Sequence, residues 1–140
     1  MDSEIVKVGV GAIIIKDGLM LLAKRKGSFA AGTYGSVGGH LKFGESPIDG
    51  VKREAREELG IEIENLVFAT CTSINRYGKH YIDISFTASI SKGEPKICEP
   101  EKIETIGWFP IDNPPSPLFG IIEIYLTSLK TGQKYFEVHE

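Results

Sequence analysis

The sequence predicts an α+β layered domain, two amphipathic helices packed on a largely antiparallel set of strands. Three observations carry that prediction. A helix with one apolar and one acidic stripe is delimited by Ser46 and Gly60, β-rich segments lie on both sides of it, and a second apolar stripe recurs near the C-terminus. At 140 residues and 41% hydrophobic content the chain can bury one core but not two, so a single domain over residues 1–140 is expected.

In chain order, Val6 to Lys16 is β-rich, Asp17-Gly18 is a hairpin turn signal, and Leu19 to Lys26 returns as a second strand. Gly27 to Gly39 carries five glycines among Ser, Thr and Tyr. It reads as a long loop of the kind that in compact domains is more often functional than idle. Ser46-Pro47 then starts a helix. Serine accepts hydrogen bonds from the first free N–H groups, proline has no N–H to leave unpaired, and Asp49 sits in the first turn, where acids are favoured. Ile48, Val51, Ala55 and Leu59 form its core-facing stripe, and Gly60 stops it. Glu62 to Asn75 and His80 to Ile90 read as two strands around Arg76-Tyr77-Gly78-Lys79, paired antiparallel. Ile103 to Phe109 reads as a further strand. Asn113 to Pro117 breaks structure and caps a final helix with Leu118, Ile121, Ile122, Tyr125 and Leu129 on one stripe.

The first helix carries the chemistry. Glu54, Glu57 and Glu58 stand at i, i+3 and i+4, which brings three carboxylates to one side of the helix. Hard anionic ligands on a rigid element suit Mg²⁺ or Mn²⁺. On its own, Arg-Glu-Ala-Arg-Glu-Glu would be an ordinary solvated face laced with charge pairs. Its company argues otherwise, because Gly38-Gly39 lies fifteen residues before Glu54 and offers bare backbone to a phosphate or metal.

From Gly39 to Gly60 the chain matches G-x5-E-x7-R-E-x-x-E-E-x-G at seven fixed positions. With glycine at about 7% and each charged type at about 6%, chance gives this on the order of 10⁻⁹ per start position. The pattern resembles the Nudix box, the signature of hydrolases that cleave a nucleoside diphosphate linked to another moiety. The flanking Lys24-Arg25-Lys26-Gly27-Ser28, Glu94-Pro95-Lys96 and Glu99-Pro100-Glu101-Lys102 before Trp108 resemble the MutT-type branch, small nucleoside triphosphate pyrophosphohydrolases. The resemblance implies a Nudix fold, a mixed β-sheet sandwiched between α-helices, with Mg²⁺ or Mn²⁺ as cofactor.

Residue by residue, it implies that Glu54, Glu57 and Glu58 bind metal, with Glu54 or a neighbour near the attacking water. The Gly38 carbonyl is implied as a further ligand, and Gly39 as part of the substrate site. Glu45 and Arg53 are implied to orient the loop and the catalytic helix. A last carboxylate from outside the box is assigned to Glu101, with Glu99 and Glu104 as rivals. Arg25 and Lys26 follow the second strand and are candidate phosphate contacts, of which strand alternation lets only one reach the site. Tyr34 and Trp108 are candidate base-stacking groups, though large aromatics at such positions also fill cores. His40 either touches phosphate or shapes the loop. Val37, where the family commonly has proline, and the small Ala55 depart from the pattern without removing a ligand.

The expected reaction is metal-dependent hydrolysis of a nucleoside triphosphate to nucleoside monophosphate and pyrophosphate. Tyr77, sixteen residues past Ile61, points weakly to dinucleoside polyphosphates, and Arg76 stands where ADP-ribose hydrolases often carry proline. A non-catalytic nucleotide-binding module is a third reading, disfavoured by the complete set of box carboxylates. A net charge of −3 and a pI near 5.7 suggest a free nucleotide rather than polymeric nucleic acid as partner. The resemblance also implies a possible homodimer. Cys71 and Cys98 lack C-x-x-C spacing, and no leader or membrane-spanning run is evident, so a cytoplasmic location is expected.

Overall fold

The computed structural model describes residues 4–27 and 30–139, so Ser28 lies outside the described residues. Strand β1 (Val6–Lys16) turns at Asp17-Gly18, both at positive φ, into β2 (Leu19–Arg25). Short β3 (Tyr34–Gly35) and β4 (Val37–His40) precede helix α1 (Pro47–Leu59). The long hairpin β5 (Glu62–Arg76) and β6 (Lys79–Lys92) follows, then β7 (Ile103–Pro110), helix α2 (Gly120–Thr131) and β8 (Tyr135–His139).

The sheet runs β3-β2-β1-β6-β5-β8, with β4 also on β1 and β7 also on β2. β1–β6 and β5–β8 are parallel and the other pairings antiparallel, so the sheet is mixed. Beside β6, β1 changes partner along its length: residues 9–12 pair with β4, and residues 14–16 pair with β2. The sheet forks there, and the fork opens the cleft described below.

Side-chain alternation along β1 sends Val10, Ala12 and Ile14 to one face and Ile13 to the other. The first face meets Val51, Ala55 and Leu59 of α1; the second meets Ile122 and Tyr125 of α2. The sheet is thus sandwiched between helices, as expected.

Several local expectations change. Gly38-Gly39 lies in β4, paired with Gly11 and Val10, rather than in a loose loop. Bare backbone is needed there because a Cβ on Gly38 would sit 2.6 Å from the Val10 carbonyl oxygen. Ile48 lies at the open end of α1 and is 40% exposed, so the buried stripe begins at Val51. Leu129 is exposed on α2. The Pro-rich segment does not cap α2: Phe119 is the N-cap residue and makes no side-chain capping bond. Strand β8 was not foreseen, its alternation being too short to separate from the helix end.

Candidate active site

Helix α1 is held at both ends. The Ser46 hydroxyl accepts from the Asp49 N–H at 3.1 Å, and Gly60 adopts φ 66° to close the C-terminus. The Lys96 and Cys98 N–H groups donate to the carbonyls of Leu59 and Glu58, tying the segment that carries Glu99 and Glu101 to the helix end. The acidic stripe of α1 faces a cleft of roughly 630 Å³ between β4, the end of β2 and the start of β7.

Arg53 is the hub of this cleft. Its Nη2 and Nε donate to the two Glu45 oxygens at 2.7 and 3.0 Å, its Nη1 to Glu54 Oε1 at 2.8 Å and Glu57 Oε1 at 3.0 Å, and its Nη2 to the His40 carbonyl at 3.1 Å. Glu45 also accepts from the Lys42 N–H at 2.8 Å. The Arg53 bonds, then the Lys42 bond, pull Glu45 down to about 2, and Glu45 in turn raises Arg53. The supporting roles expected of both residues fit this geometry.

The three box carboxylates line the cleft together but stand in different environments. Glu57 is at the surface. Burial raises Glu54 against the pull of Arg53. Glu58 Oε1 accepts from the Gly38 N–H at 3.1 Å, yet burial, reinforced by Glu54 and Glu99, pushes it up to about 8. Among the described residues no three acidic, His or Cys side chains are gathered into a ready ligand cage. Arg53 Nη1 instead bridges Glu54 and Glu57.

The donor set nonetheless fits a hard divalent cation. It is all oxygen, and burial, with the neighbouring carboxylates adding to it, raises both Glu54 and Glu58, a cost that a bound cation would offset. Bare backbone also abuts it: a Cβ on Gly39 would lie 2.5 Å from Glu54 Oε1.

Of the three candidates outside the box, Glu101 lines the cleft and Glu99 is close enough to raise both Glu54 and Glu58. Glu104 pairs with Lys24 at 3.5 Å and does not line the cleft. Both Arg25 and Lys26 line it, not one of them. Alternation fails here because β2 shifts register against β7 between Lys24 and Arg25, and the strand ends at Arg25.

Neither aromatic candidate lines the cleft. Tyr34 packs edge-on against Phe109, ring centroids 5.3 Å apart, on the α2 side of the sheet. Trp108 packs against the α1-side core and borders a separate hollow with Lys16, Ile90 and Pro95. Sequence reasoning passed over Lys42 and Lys102, which do line the cleft, and gave His40 only a marginal place there. It also missed a second cavity beyond β4, of roughly 700 Å³, lined by Tyr77, Tyr81, Asp83, Phe119 and Ile124 among others. The signals were present: polar or aromatic residues at 81, 83 and 85 alternate with Ile82, Ile84 and Phe86, opposite two strand glycines.

The family model of the NUDIX domain matches residues 6–124. The chain belongs to the Nudix family. It is similar to a MutT Nudix hydrolase from Burkholderia pseudomallei, with 36% identity and a TM-score of 0.85 over 89% of this chain and 98% of that one. A Nudix hydrolase from Nitrosomonas europaea, at 24% identity and TM-score 0.76 over 94% and 93% of the two chains, shares the fold. The NAD-capped RNA hydrolase NudC of Stutzerimonas stutzeri is 35% identical over 123 residues, 87% of this chain. That match spans only 44% of the NudC protein. The Nudix box of this chain, from Gly39 to Gly60, lies along β4, the loop that carries Glu45, α1 and the α1 C-cap.

Proposed function

We propose that the protein hydrolyses a nucleoside triphosphate to nucleoside monophosphate and pyrophosphate, with α1 as the catalytic helix. The observation that carries this reading is the cleft itself. On one wall stand Glu54, Glu57 and Glu58; Arg25, Lys26, Lys42 and Lys102 also line it. Such a pairing of carboxylates with cations suits a polyphosphate chain and the metal that accompanies it.

Nudix hydrolases act with divalent metal ions, and Glu54, Glu57, Glu58 and the Gly38 carbonyl are the groups that would hold Mg²⁺ or Mn²⁺ here, with Glu99 or Glu101 completing the set. When bound, the ion supplies charge neutralisation on the phosphates and acidifies a water. The remaining work falls to the chain. Arg53 fixes the carboxylate of Glu54 and ties α1 to the His40–Glu45 loop. Arg25 and Lys26 take phosphate oxygens. Glu54 or Glu58 receives the proton of the water that attacks phosphorus. One P–O bond forms, the anhydride P–O bond breaks, and the pyrophosphate oxygen leaves with the electron pair.

A second reading, hydrolysis of a dinucleotide such as NAD or of an NAD-type cap on RNA, is supported by the NudC relatives. A capped 5′ end presents the same anhydride as a free dinucleotide, so partners that are polymers belong to this reading. Product analysis with Mg²⁺ over nucleoside triphosphates, diadenosine polyphosphates, ADP-ribose, NAD and an NAD-capped oligonucleotide separates the two. Pyrophosphate released from a triphosphate supports the first reading; mononucleotides released only from dinucleotides or capped RNA overturn it in favour of the second.

A further inference from the structure

Strands β1 and β6 part company at one end of the sheet. Their parallel pairing stops at Ile14 and Ala88, while β1 runs on beside β2 to Lys16 and β6 runs on beside β5 to Lys92. A hollow of roughly 440 Å³ lies in the gap, bordered by Trp108 of β7 and by the Gly93-Glu94-Pro95 segment that follows β6. On β1, Lys16 continues the row Val10, Ala12 and Ile14, so it shares the α1 face of the sheet with Ile90 and Trp108. Lys92 borders the hollow from the end of β6. Two ammonium groups and an indole therefore meet at one place, which shares no lining residue with the catalytic cleft.

The lining has the parts that hold a flat anion. Trp108 packs on the core yet is only half-buried, which leaves part of the indole to the hollow. Lys16 and Lys92 are exposed and take part in none of the ion pairs among the described residues. Glu94 is the single carboxylate of the lining, so the hollow is positive in a chain whose net charge is −3. Past Ala88 the edge of β6 that faced β1 has no strand partner, and its peptides offer N–H and C=O groups to a ligand. A ring stacked on the indole meets those peptides at its edge, and a phosphate on the same molecule meets the lysines. A small inorganic anion would leave the indole unused, and a neutral ring would leave the lysines unused. The volume is that of a small-molecule site.

We propose that this hollow is an effector site for a purine nucleoside monophosphate, and that a nucleotide bound there slows turnover in the catalytic cleft. The site stands on its own geometry; its effect on turnover rests on the nucleotide-hydrolase reading above, of which such a monophosphate is a product. One segment joins the two places. Gly93, at φ 95°, packs so closely on the α1 C-cap that a Cβ would lie 3.0 Å from the Gly60 carbonyl oxygen. Further along, the Lys96 and Cys98 N–H groups donate to the Leu59 and Glu58 carbonyls, each at 3.0 Å. Glu99 and Glu101 follow directly, and Glu101 lines the cleft. A ligand braced against Gly93 and Pro95 therefore bears on the segment that carries those carboxylates. A second link is Leu21, which is opposite Trp108 on β2 and lines the cleft.

Trp108 is the single tryptophan of the chain and does not line the cleft, so its fluorescence reports on the hollow. The test titrates GMP, AMP and inorganic phosphate, without divalent ions, into the full native chain and into the Lys16→Glu/Lys92→Glu protein. GMP and AMP are expected to quench the native protein to saturation, and the double variant is expected to bind them about tenfold more weakly or worse. Both lysines are exposed and outside the cleft, so the variant is expected to keep the native kcat when no nucleotide is added. Added to the hydrolysis assay with Mg²⁺, GMP or AMP is expected to lower the native kcat in a way that excess substrate does not relieve, and to inhibit the variant only competitively. Fluorescence unmoved by either nucleotide, or equal quenching in both proteins, would overturn the site. Phosphate alone binding as tightly as the nucleotides would overturn the part given to the ring. Quenching lost in the variant, with competitive inhibition alone in both proteins, would overturn the effect on turnover. Quenching lost in the variant, with no nucleotide hydrolysed by either protein, would sink the hydrolase reading and leave the site standing.

Discussion

Arg53 makes five hydrogen bonds in the cleft, to groups that hold the box together: Glu45, Glu54, Glu57 and the His40 carbonyl. A lysine keeps the charge but not the planar fork that spans four partners. Arg53→Lys is therefore expected to fold, to lower turnover by about 10- to 100-fold, and to weaken metal binding, read by kinetics and metal titration. At Glu58 the sign of the pH effect follows from its shift. Its native acidity lies near 8, above the ordinary 4.5, so the folded state binds the proton more tightly than the unfolded chain does. Stability from this group is present in full below the ordinary value and is lost as pH rises through about 8. Without divalent ions, thermal unfolding should show Glu58→Gln gaining on the native protein as pH rises from 5 to 9. Added Mg²⁺ should stabilise the native protein more at pH 8 than at pH 6. A pH-independent difference between the two proteins would contradict the assignment.

Along the elements, the two glycines of β4 do different work. A methyl group on Gly38 meets the Val10 carbonyl oxygen at 2.6 Å, backbone against backbone, so the β1–β4 pairing must move. Gly38→Ala is expected to cost about 1–3 kcal/mol of stability in denaturant titrations. On Gly39 the obstacle is the Glu54 carboxylate, the far end of a side chain that can turn away. Gly39→Ala should leave stability nearly unchanged and lower activity, because Glu54 is displaced. The same elements show what was legible beforehand. Ser46, Pro47 and Gly60 are chemically specific signals for the ends of α1, and β-rich composition with turn signals such as Asp17-Gly18 placed β1, β2, β5, β6 and β7 within a few residues. The fork of β1 between β2 and β4 has no local signature, since partner choice is a tertiary matter. The base-stacking candidates failed for the same reason: being aromatic and near the box is a local property, whereas the side of the sheet a residue faces depends on register. Alternation at 81, 83 and 85 did carry a signal, but it acquires meaning only when Gly9 and Gly11 are seen to lie opposite.

For the whole molecule, the cleft brings four carboxylates, Glu54, Glu57, Glu58 and Glu101, together with five cations, Arg25, Lys26, Lys42, Arg53 and Lys102. Net charge alone therefore understates its affinity for phosphates. The family was legible because seven box positions are fixed by chemistry on a single helix and the strand before it. The substrate was not, since the groups that line the cleft beside α1 come from β2, β3, β4, β7 and the loops beside them and converge only on folding. On the proposed function, the α1 carboxylates drive metal-dependent anhydride hydrolysis. The most direct test is the rate of phosphoanhydride cleavage at saturating Mg²⁺ for native and Glu58→Gln proteins, both first shown to be folded by thermal unfolding. A loss of at least about a hundredfold is expected in the variant, and no turnover in the metal-free native protein. A folded Glu58→Gln protein that hydrolyses at the native rate would contradict it.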